Sequence, residues 1–474
     1  MRQKRNSHRV FLFSCMRTEG LEKSDSGQRY RGFMKILFIS LGCDKNLADT
    51  EFMLGKLEKK GYSFTDDERE AELIIVNTCC FIHDAKEESI QTLLEMGRLK
   101  EEGKAKALIA AGCLAERYKD EIRVEIPEVD AIVGTNAIDK IVEAVEKTLQ
   151  KEEGSQLEDI NSTPAYGQER IVTTGGHFAY LKIAEGCNKN CSYCIIPKVR
   201  GQYRSIPMDH LQKAAEELAR KGVKELILVA QETTLYGMDL YGKKMLPQLL
   251  KQLCEISGLY WIRILYCYPE EITEELIQVI KEEKKICHYL DIPIQHCSDA
   301  VLKKMGRRTN ESSLREMVGR LRKEIPNICL RTTLITGFPG ETQEDHEKIM
   351  AFVDEMEFDR LGVFTYSPEE GTKAAEFPNQ VEESLKEERQ AEIMELQQEI
   401  AFEKAGDMIG EEVLAMIEGK VAEENAYVGR TYKDAPNVDG LIFINTDMEL
   451  MTGDFVKVKV TGSYEYDLIG EIMK

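Results

Sequence analysis

The chain has no apolar run of membrane-spanning length, which excludes a spanning helix, and no signal peptide is recognised ahead of its cysteines, so a secreted form is not expected. It is also short of positive charge, with 63 Lys and Arg against 84 Asp and Glu and a formal net charge of -21. Its 13 cysteines are an odd number without a secretory context, so a secreted disulfide framework is not expected. A cytoplasmic protein with reduced thiols is expected. Its 474 residues allow roughly three domains.

Residues 1–33 differ from the rest. They hold eight Lys or Arg against three acids and no usable periodicity, and without them the net charge moves from -21 to -26. Met34 then opens the apolar run Lys-Ile-Leu-Phe-Ile-Ser-Leu. An over-called start or a disordered extension is the reading preferred over a basic transit peptide.

Three short apolar runs follow, each delivering a cysteine at its carboxyl end: Lys35 to Leu41 before Cys43, Leu73 to Asn77 before Cys79, and Ala107 to Ala111 before Cys113. Helical stretches lie between them, near 49–60 and 87–100. The cysteines recur every 34 to 36 residues, the spacing of strand-helix-strand units. The carboxyl edges of neighbouring parallel strands line one crevice, so the three thiols are expected to converge there as a ligand set. The competing reading is three small core residues.

After a polar stretch at 151–173, read as a linker, comes Gly186-Cys-Asn-Lys-Asn-Cys-Ser-Tyr-Cys194. Its C-x3-C-x2-C spacing suits three thiolates, Cys187, Cys191 and Cys194, on three irons of one cubane, with the fourth iron open to bind a small molecule. Zinc normally takes four ligands grouped in twos. Strands are expected at 178–184, 225–230, 261–266, 289–293, 329–336 and 360–366, alternating with helices. Six such units make a partial parallel barrel whose chemistry belongs at the carboxyl ends of the strands, where the triplet stands. Those ends carry Gln231-Glu232, Gln295-His296 and Thr336-Gly-Phe-Pro-Gly-Glu341. The last loop lacks the Gly-Lys-Ser/Thr of a phosphate loop, but its glycines allow close backbone approach to a ligand. His296 is read as a hydrogen-bonded structural histidine, and Cys267, Cys287, Cys297 and Cys329 as packing residues.

A Glu-, Lys-, Gln- and Leu-rich helix is expected over 380–406, and residues 411–474 read as a small antiparallel barrel. Between 410 and 474 stand 6 Lys or Arg and 13 Asp or Glu. That balance disfavours a phosphate backbone and favours a basic protein partner, against the alternative of a merely acidic solvated surface.

The cysteine triplet resembles radical S-adenosylmethionine (SAM) enzymes. Taken with Ser40-Leu-Gly-Cys43-Asp-Lys-Asn46, Asn77-Thr-Cys79, Gly112-Cys-Leu114, Ile195-Ile-Pro-Lys-Val-Arg-Gly-Gln-Tyr-Arg204 and Asp291-Ile-Pro-Ile-Gln-His-Cys-Ser298, it resembles the methylthiotransferase family over nearly all of the chain after Met34. The resemblance implies an α/β architecture: an amino-terminal parallel α/β domain (34–150), a partial (β/α)6 TIM-type radical SAM domain with its trailing helix (174–406) and a TRAM barrel (407–474). It implies two 4Fe-4S clusters and SAM, with Cys43, Cys79 and Cys113 holding one cluster and the triplet the other. Tyr193, Gln231, Thr336 and Gly337 are the implied neighbours of cluster or SAM, and no side chain is assigned a catalytic role, the chemistry being carried by the clusters and SAM.

Residues 429–440, Gly-Arg-Thr-Tyr-Lys-Asp-Ala-Pro-Asn-Val-Asp-Gly, resemble the RimO branch, which methylthiolates an aspartate β carbon of ribosomal protein S twelve. The alternative is the MiaB branch, which acts on isopentenyladenosine in tRNA. Asp434 and Asp439 are expected to present acidic charge to the ribosomal protein or small subunit. An external electron donor and a sulfur donor are implied as further partners. Two positions depart from the family pattern: Asp44 stands where proline is common, and Cys80 follows Cys79 where glycine is frequent. Strand alternation turns Cys79 and Cys80 in opposite directions, and Cys79 is the position that matches the family.

Overall fold

A computed structural model describes residues 10–11, 34–103, 105–164, 166–167, 169–422 and 424–473. The chain divides into two compact units. One comprises residues 1–175, 185–188 and 195–206, the other residues 176–184, 189–194 and 207–474.

The first unit is built on a parallel sheet in which Lys35–Ser40, Leu73–Thr78, Ala107–Ala111 and Ala131–Val133 lie side by side in chain order. The middle two strands are buried along their whole length, which is why they read as unbroken apolar runs without alternation. Helices Asp44–Lys59 and His83–Glu101 make the crossovers. The fourth strand and helix Ile141–Leu149 are additions to the expected pattern, the strand being too short to carry a periodic signal. Of residues 1–33 only Val10–Phe11 are described; they pair antiparallel with Ser40 and Ile39 at the sheet edge. The expected over-called start or disordered extension lies outside the described residues.

The stretch read as a linker is packed onto this unit. Gln156 exchanges backbone bonds with Ile132 and Gly134, Ile171 enters the core, and the buried Glu51 carboxylate accepts from Thr173 N and Oγ1, each at 2.7 Å, and pairs with Arg170. Polar composition marked this segment as loop. Its adhesion depends on partners about 120 residues away, which no local pattern reveals.

In the second unit six parallel strands, Phe178–Lys182, Glu225–Val229, Trp261–Ile264, Ile286–Asp291, Cys329–Thr336 and Arg360–Thr365, follow one another in chain order across one sheet. Helices Met208–Arg220, Leu246–Cys254, Glu274–Glu282, Glu311–Glu324 and Gln343–Met356 separate them, and Glu383–Asp407 leads out. A seven-residue helix, Asp299–Met305, is too short to show a period in the sequence.

Residues 412–472 close a barrel of five strands. Four of its five ladders are antiparallel; Ile442–Asn445 and Asp467–Ile472 run parallel, because the chain crosses over to Phe455–Tyr464 before its last hairpin. The barrel is fastened to the amino-terminal ends of the six-stranded sheet. Glu225, the first residue of its strand, accepts from Arg263 Nε at 2.7 Å and from Arg430 Nη2 at 2.6 Å, all three side chains being buried. The opposite ends of the strands, where the triplet and Glu232 follow, are left to the site.

Candidate cluster and cofactor sites

In the first unit the register pairs Ser40 with Asn77 and Asn77 with Ala111, so the three cysteine loops leave one sheet edge together. Each loop has a local cause. Cys43 is the N-cap of helix Asp44–Lys59, and Cys113 is the second residue of the short helix Gly112–Arg117. Gly42 has φ +91°, and a Cβ there would stand 2.8 Å from the Cys79 sulfur, so only glycine leaves that thiol its place. The loops are laced by amides: Asn46 Nδ2 donates to the carbonyls of Leu41 and Thr78 at 3.0 Å each, and Asn77 Nδ2 donates to Asn46 O and Thr50 Oγ1 at 2.9 Å each. Ser89 Oγ accepts from Cys79 N and donates to Cys79 O, at 2.9 Å in each case.

Cys43 is exposed, while Cys79 and Cys113 are buried. Burial, with Cys113 and then Cys43 nearby, holds the Cys79 thiol well above its ordinary range. Burial also raises Cys113, against the opposing pull of Arg200. Crowded, desolvated thiols resist ionisation until a metal centre neutralises them, so this donor set suits a cluster. Cys80 is buried in a core cluster with Leu37, Ile39, Ile74 and Val76, a cluster that Cys113 also borders. Among the described residues no three His, Cys, Asp or Glu side chains are arranged for a single metal ion; in a cubane each thiolate takes a different iron.

The triplet divides between the units, Cys187 with the first and Cys191 and Cys194 with the second. Cys187 N donates to Gly201 O at 3.1 Å, and Gly186, at φ +78°, lies so close to Gln202 O that a Cβ would stand 2.1 Å from it. In the second unit Cys194 N donates to Cys191 O at 3.1 Å, and Ser192 is clamped by Met305 O, Lys304 O and Ala374 N.

Around Cys191 lies a chain of contacts that the sequence only partly announced. The Tyr268 hydroxyl is 3.9 Å from Cys191 Sγ, and the Tyr268 ring is faced by Lys189 at 4.9 Å and Arg307 at 4.3 Å. Lys189 is held by Glu270, at 3.1 Å, and Glu271, and stands 3.9 Å from Glu232 Oε2. Burial pushes the Glu232 carboxyl up to about 7, against hydrogen bonds from Thr234 and the charge of Lys189. Its Oε2 accepts no hydrogen bond, and Nε and Nη1 of the buried Arg307 have no acceptor. A buried carboxyl and a buried guanidinium with such unused valences suit a zwitterionic ligand, as the amino-acid end of SAM is. Tyr268 and Arg307 carry no local motif and became visible only in three dimensions, and Lys189, though inside the cysteine motif, is given no role by it.

Of the expected neighbours, Tyr193 packs edge-on against Phe338 at 6.4 Å, in a cluster with Val301, Met305 and Tyr366. Gln231 is half-buried at the end of Glu225–Val229, one residue from Glu232. Thr336 Oγ1 lies 3.4 Å from Glu341 Oε1, and Gly337, at φ +70°, has no room for a Cβ beside Lys386. Glu341 is further held by Arg389 at 2.8 Å and stands 3.5 Å from His296 Nε2, while His296 Nδ1 accepts from Ser298 N at 2.9 Å. His296 is buried in this loop, engaged at Nδ1 and 3.5 Å from Glu341 at Nε2. Cys267, Cys287, Cys297 and Cys329 are all buried, as packing residues should be.

Asp434 and Asp439 require correction. Asp434 accepts from Arg360 Nη2 at 2.6 Å and Thr431 Oγ1 at 2.7 Å; Asp439 accepts from Tyr289 OH at 2.7 Å and Ala435 N at 2.8 Å and stands 3.6 Å from Arg331 Nε. Their side chains are 3% and 2% exposed. Both fasten the small barrel to the sheet and present no charge to a partner. The sequence shows the acids of this loop but not the arginines, more than 70 residues earlier, that neutralise them.

Comparison with known proteins agrees with this layout. Residues 35–134 match the uncharacterized protein family UPF0004, 181–353 the radical SAM superfamily and 409–473 the TRAM domain. The chain is 60% identical over 437 residues to the ribosomal protein uS12 methylthiotransferase RimO of Lachnoclostridium phytofermentans, covering 92% of this chain and 99% of the relative. It is 50% identical over 433 residues to RimO of Thermoanaerobacter sp., covering 91% and 98%. Among solved structures the radical SAM methyltransferase TsrM of Kitasatospora setae, with cobalamin and a [4Fe-4S] cluster bound, superposes with a TM-score of 0.54 at 14% identity, over 72% of this chain and 77% of that one, a likeness of fold alone. With three matched domains in one order and such identity along nearly its whole length, the chain belongs to the RimO family of ribosomal protein uS12 methylthiotransferases.

Proposed function

We propose that this chain methylthiolates an aspartate of ribosomal protein uS12 at its β carbon. The observation that carries the reading is the 60% identity to a RimO relative over 92% of the chain. Cys43, Cys79 and Cys113 lie within the segment that matches UPF0004, and Cys187, Cys191 and Cys194 within the radical SAM match. Cys187, Cys191 and Cys194 hold a 4Fe-4S cluster, and Cys43, Cys79 and Cys113 are proposed to hold a second. Together with SAM the clusters supply the one-electron chemistry that an unactivated carbon-hydrogen bond demands, since no side-chain base ionises such a bond at a useful rate.

The chain's own residues bind and orient. Glu232 and Arg307 offer the carboxyl oxygen and guanidinium hydrogens that an amino acid's ammonium and carboxylate require, and Lys189 is kept from competing for Glu232 by Glu270 and Glu271. Tyr193, Phe338 and Tyr366 pack ring against ring, and Tyr193 stands next to Cys194 in the chain. The Asn46 and Asn77 lacing ties the amino-terminal loops to one another, the preorganisation that positioning demands. The electron donor and the sulfur donor are external partners in this reading, and the enzyme works in the cytoplasm, where its substrate is made.

The test is anaerobic turnover of reconstituted protein with SAM, reductant and sulfide, followed by mass spectrometry of uS12 and of tRNA carrying isopentenyladenosine. One methylthio group on an aspartate of uS12 and none on the tRNA is expected. Modified tRNA with untouched uS12 would overturn the substrate.

A further inference from the structure

Arg200 lies in the segment that follows the barrel triplet, yet residues 195–206 belong to the first unit. Its guanidinium is buried, with 2% of the side chain exposed, and all three of its nitrogens are engaged. Nε donates to the Cys113 sulfur at 3.3 Å. Nη1 donates to Asp49 Oδ2 at 2.7 Å and Glu185 Oε2 at 3.1 Å, and Nη2 to Asn46 Oδ1. Asp49 and Asn46 lie on the helix that Cys43 caps, and Glu185 precedes Cys187 by two residues. Cys187 is itself bound through its amide to Gly201, the residue after Arg200.

We propose that Arg200 is a positioning residue that fixes Cys113, a thiolate of the amino-terminal set, to the loop carrying Cys187, so that one side chain sets both the place of the first cluster's ligand and the charge felt by its sulfur. The inference rests on the reading that Cys43, Cys79 and Cys113 hold a cluster.

A guanidinium stays charged at any working pH, so its effect on the Cys113 sulfur is permanent. Hydrogen bonds and positive charge at a ligand sulfur favour the reduced state of an iron-sulfur centre. The planar fork can reach Cys113, Asn46 and the two carboxylates together, whereas an ammonium on a flexible stem cannot. Asp49 and Glu185 are 3% exposed each, so the cation also neutralises two buried anions, and its simple removal threatens the fold.

The test uses the full chain with Cys187, Cys191 and Cys194 replaced by alanine, which leaves the amino-terminal cluster alone to be observed. Arg200→Gln is expected to lower the midpoint potential of that cluster and alter its electron paramagnetic resonance spectrum. Arg200→Lys keeps a cation, so it should preserve folding and iron while still changing the spectrum, because the fork is gone. With the triplet restored, Arg200→Lys should raise the 5′-deoxyadenosine formed per methylthio group at least tenfold, since SAM cleavage continues while transfer fails. Should Arg200→Gln not fold, the Arg200→Lys spectrum and ratio decide. A potential, spectrum and ratio unchanged from the parent would overturn the proposal. Absence of iron in the triplet-less parent would instead overturn the cluster reading, and the proposal with it.

Discussion

Arg430 Nη2 donates to Glu225 Oε2 at 2.6 Å across 205 positions of sequence, with both side chains buried. Arg263 shares the same carboxylate from the other side, at 2.7 Å. Removing that carboxylate leaves the buried Arg263 without its anion and Arg430 with Glu418 alone. Glu225→Gln should therefore cost roughly 3–5 kcal/mol of stability, the usual penalty for breaking a buried pair, read as a lowered denaturant midpoint. Asp434→Asn should act the same way on Arg360, and its effect on uS12 modification should follow the loss of folded protein.

Cys79 and Cys80 offer a sharper contrast. Cys79→Ala should remove the amino-terminal cluster, about four of the eight irons expected for two cubanes. Cys80→Ala should keep the iron and cost about 1 kcal/mol by vacating a small core volume. Iron analysis and thermal unfolding of the two variants decide the assignment, and the reverse outcome would sink it.

Gly112 tests the close packing of the loops. At φ +87° a Cβ would lie 2.2 Å from Asn77 Oδ1 and 2.7 Å from Thr78 O, so Gly112→Ala should displace Cys113 and deplete iron at that cluster. Gly103, at φ +79° with nothing within 4 Å, is the control. Alanine there should cost only about 1 kcal/mol of left-handed backbone strain and leave iron untouched.

Glu232 predicts a pH dependence in protein without SAM. Its folded-state pKa is about 7 against an ordinary 4.5, so the folded chain binds this proton more tightly than the unfolded one. Stability from this group is then full below about 4.5, declines as the pH rises toward 7 and is lost above it, by about 3 kcal/mol at most. Glu232→Gln should flatten that stretch of the stability profile and weaken SAM binding. A profile identical to the parent between pH 4.5 and 7 would count against the burial argument.

What the sequence determined by itself were features with a local period or a short-range covalent constraint. The apolar runs before Cys43, Cys79 and Cys113 announced parallel strands, because a strand buried on both faces must be apolar along its length. The C-x3-C-x2-C spacing raised the expectation of a three-thiolate ligand set, because ligand distances restrict loop length. The tertiary structure alone decided which charges meet. Asp434 and Asp439 read as surface acids until Arg360 and Arg331 arrived beside them, and residues 151–173 read as a tether until Glu51 and the sheet edge bound them. Arg200 read as one residue of a motif, though its fork closes on Cys113, 87 positions away. Ion pairs and hydrogen bonds of that kind depend on distance in space, and a carboxylate has the same one-letter code whether water or a buried guanidinium faces it.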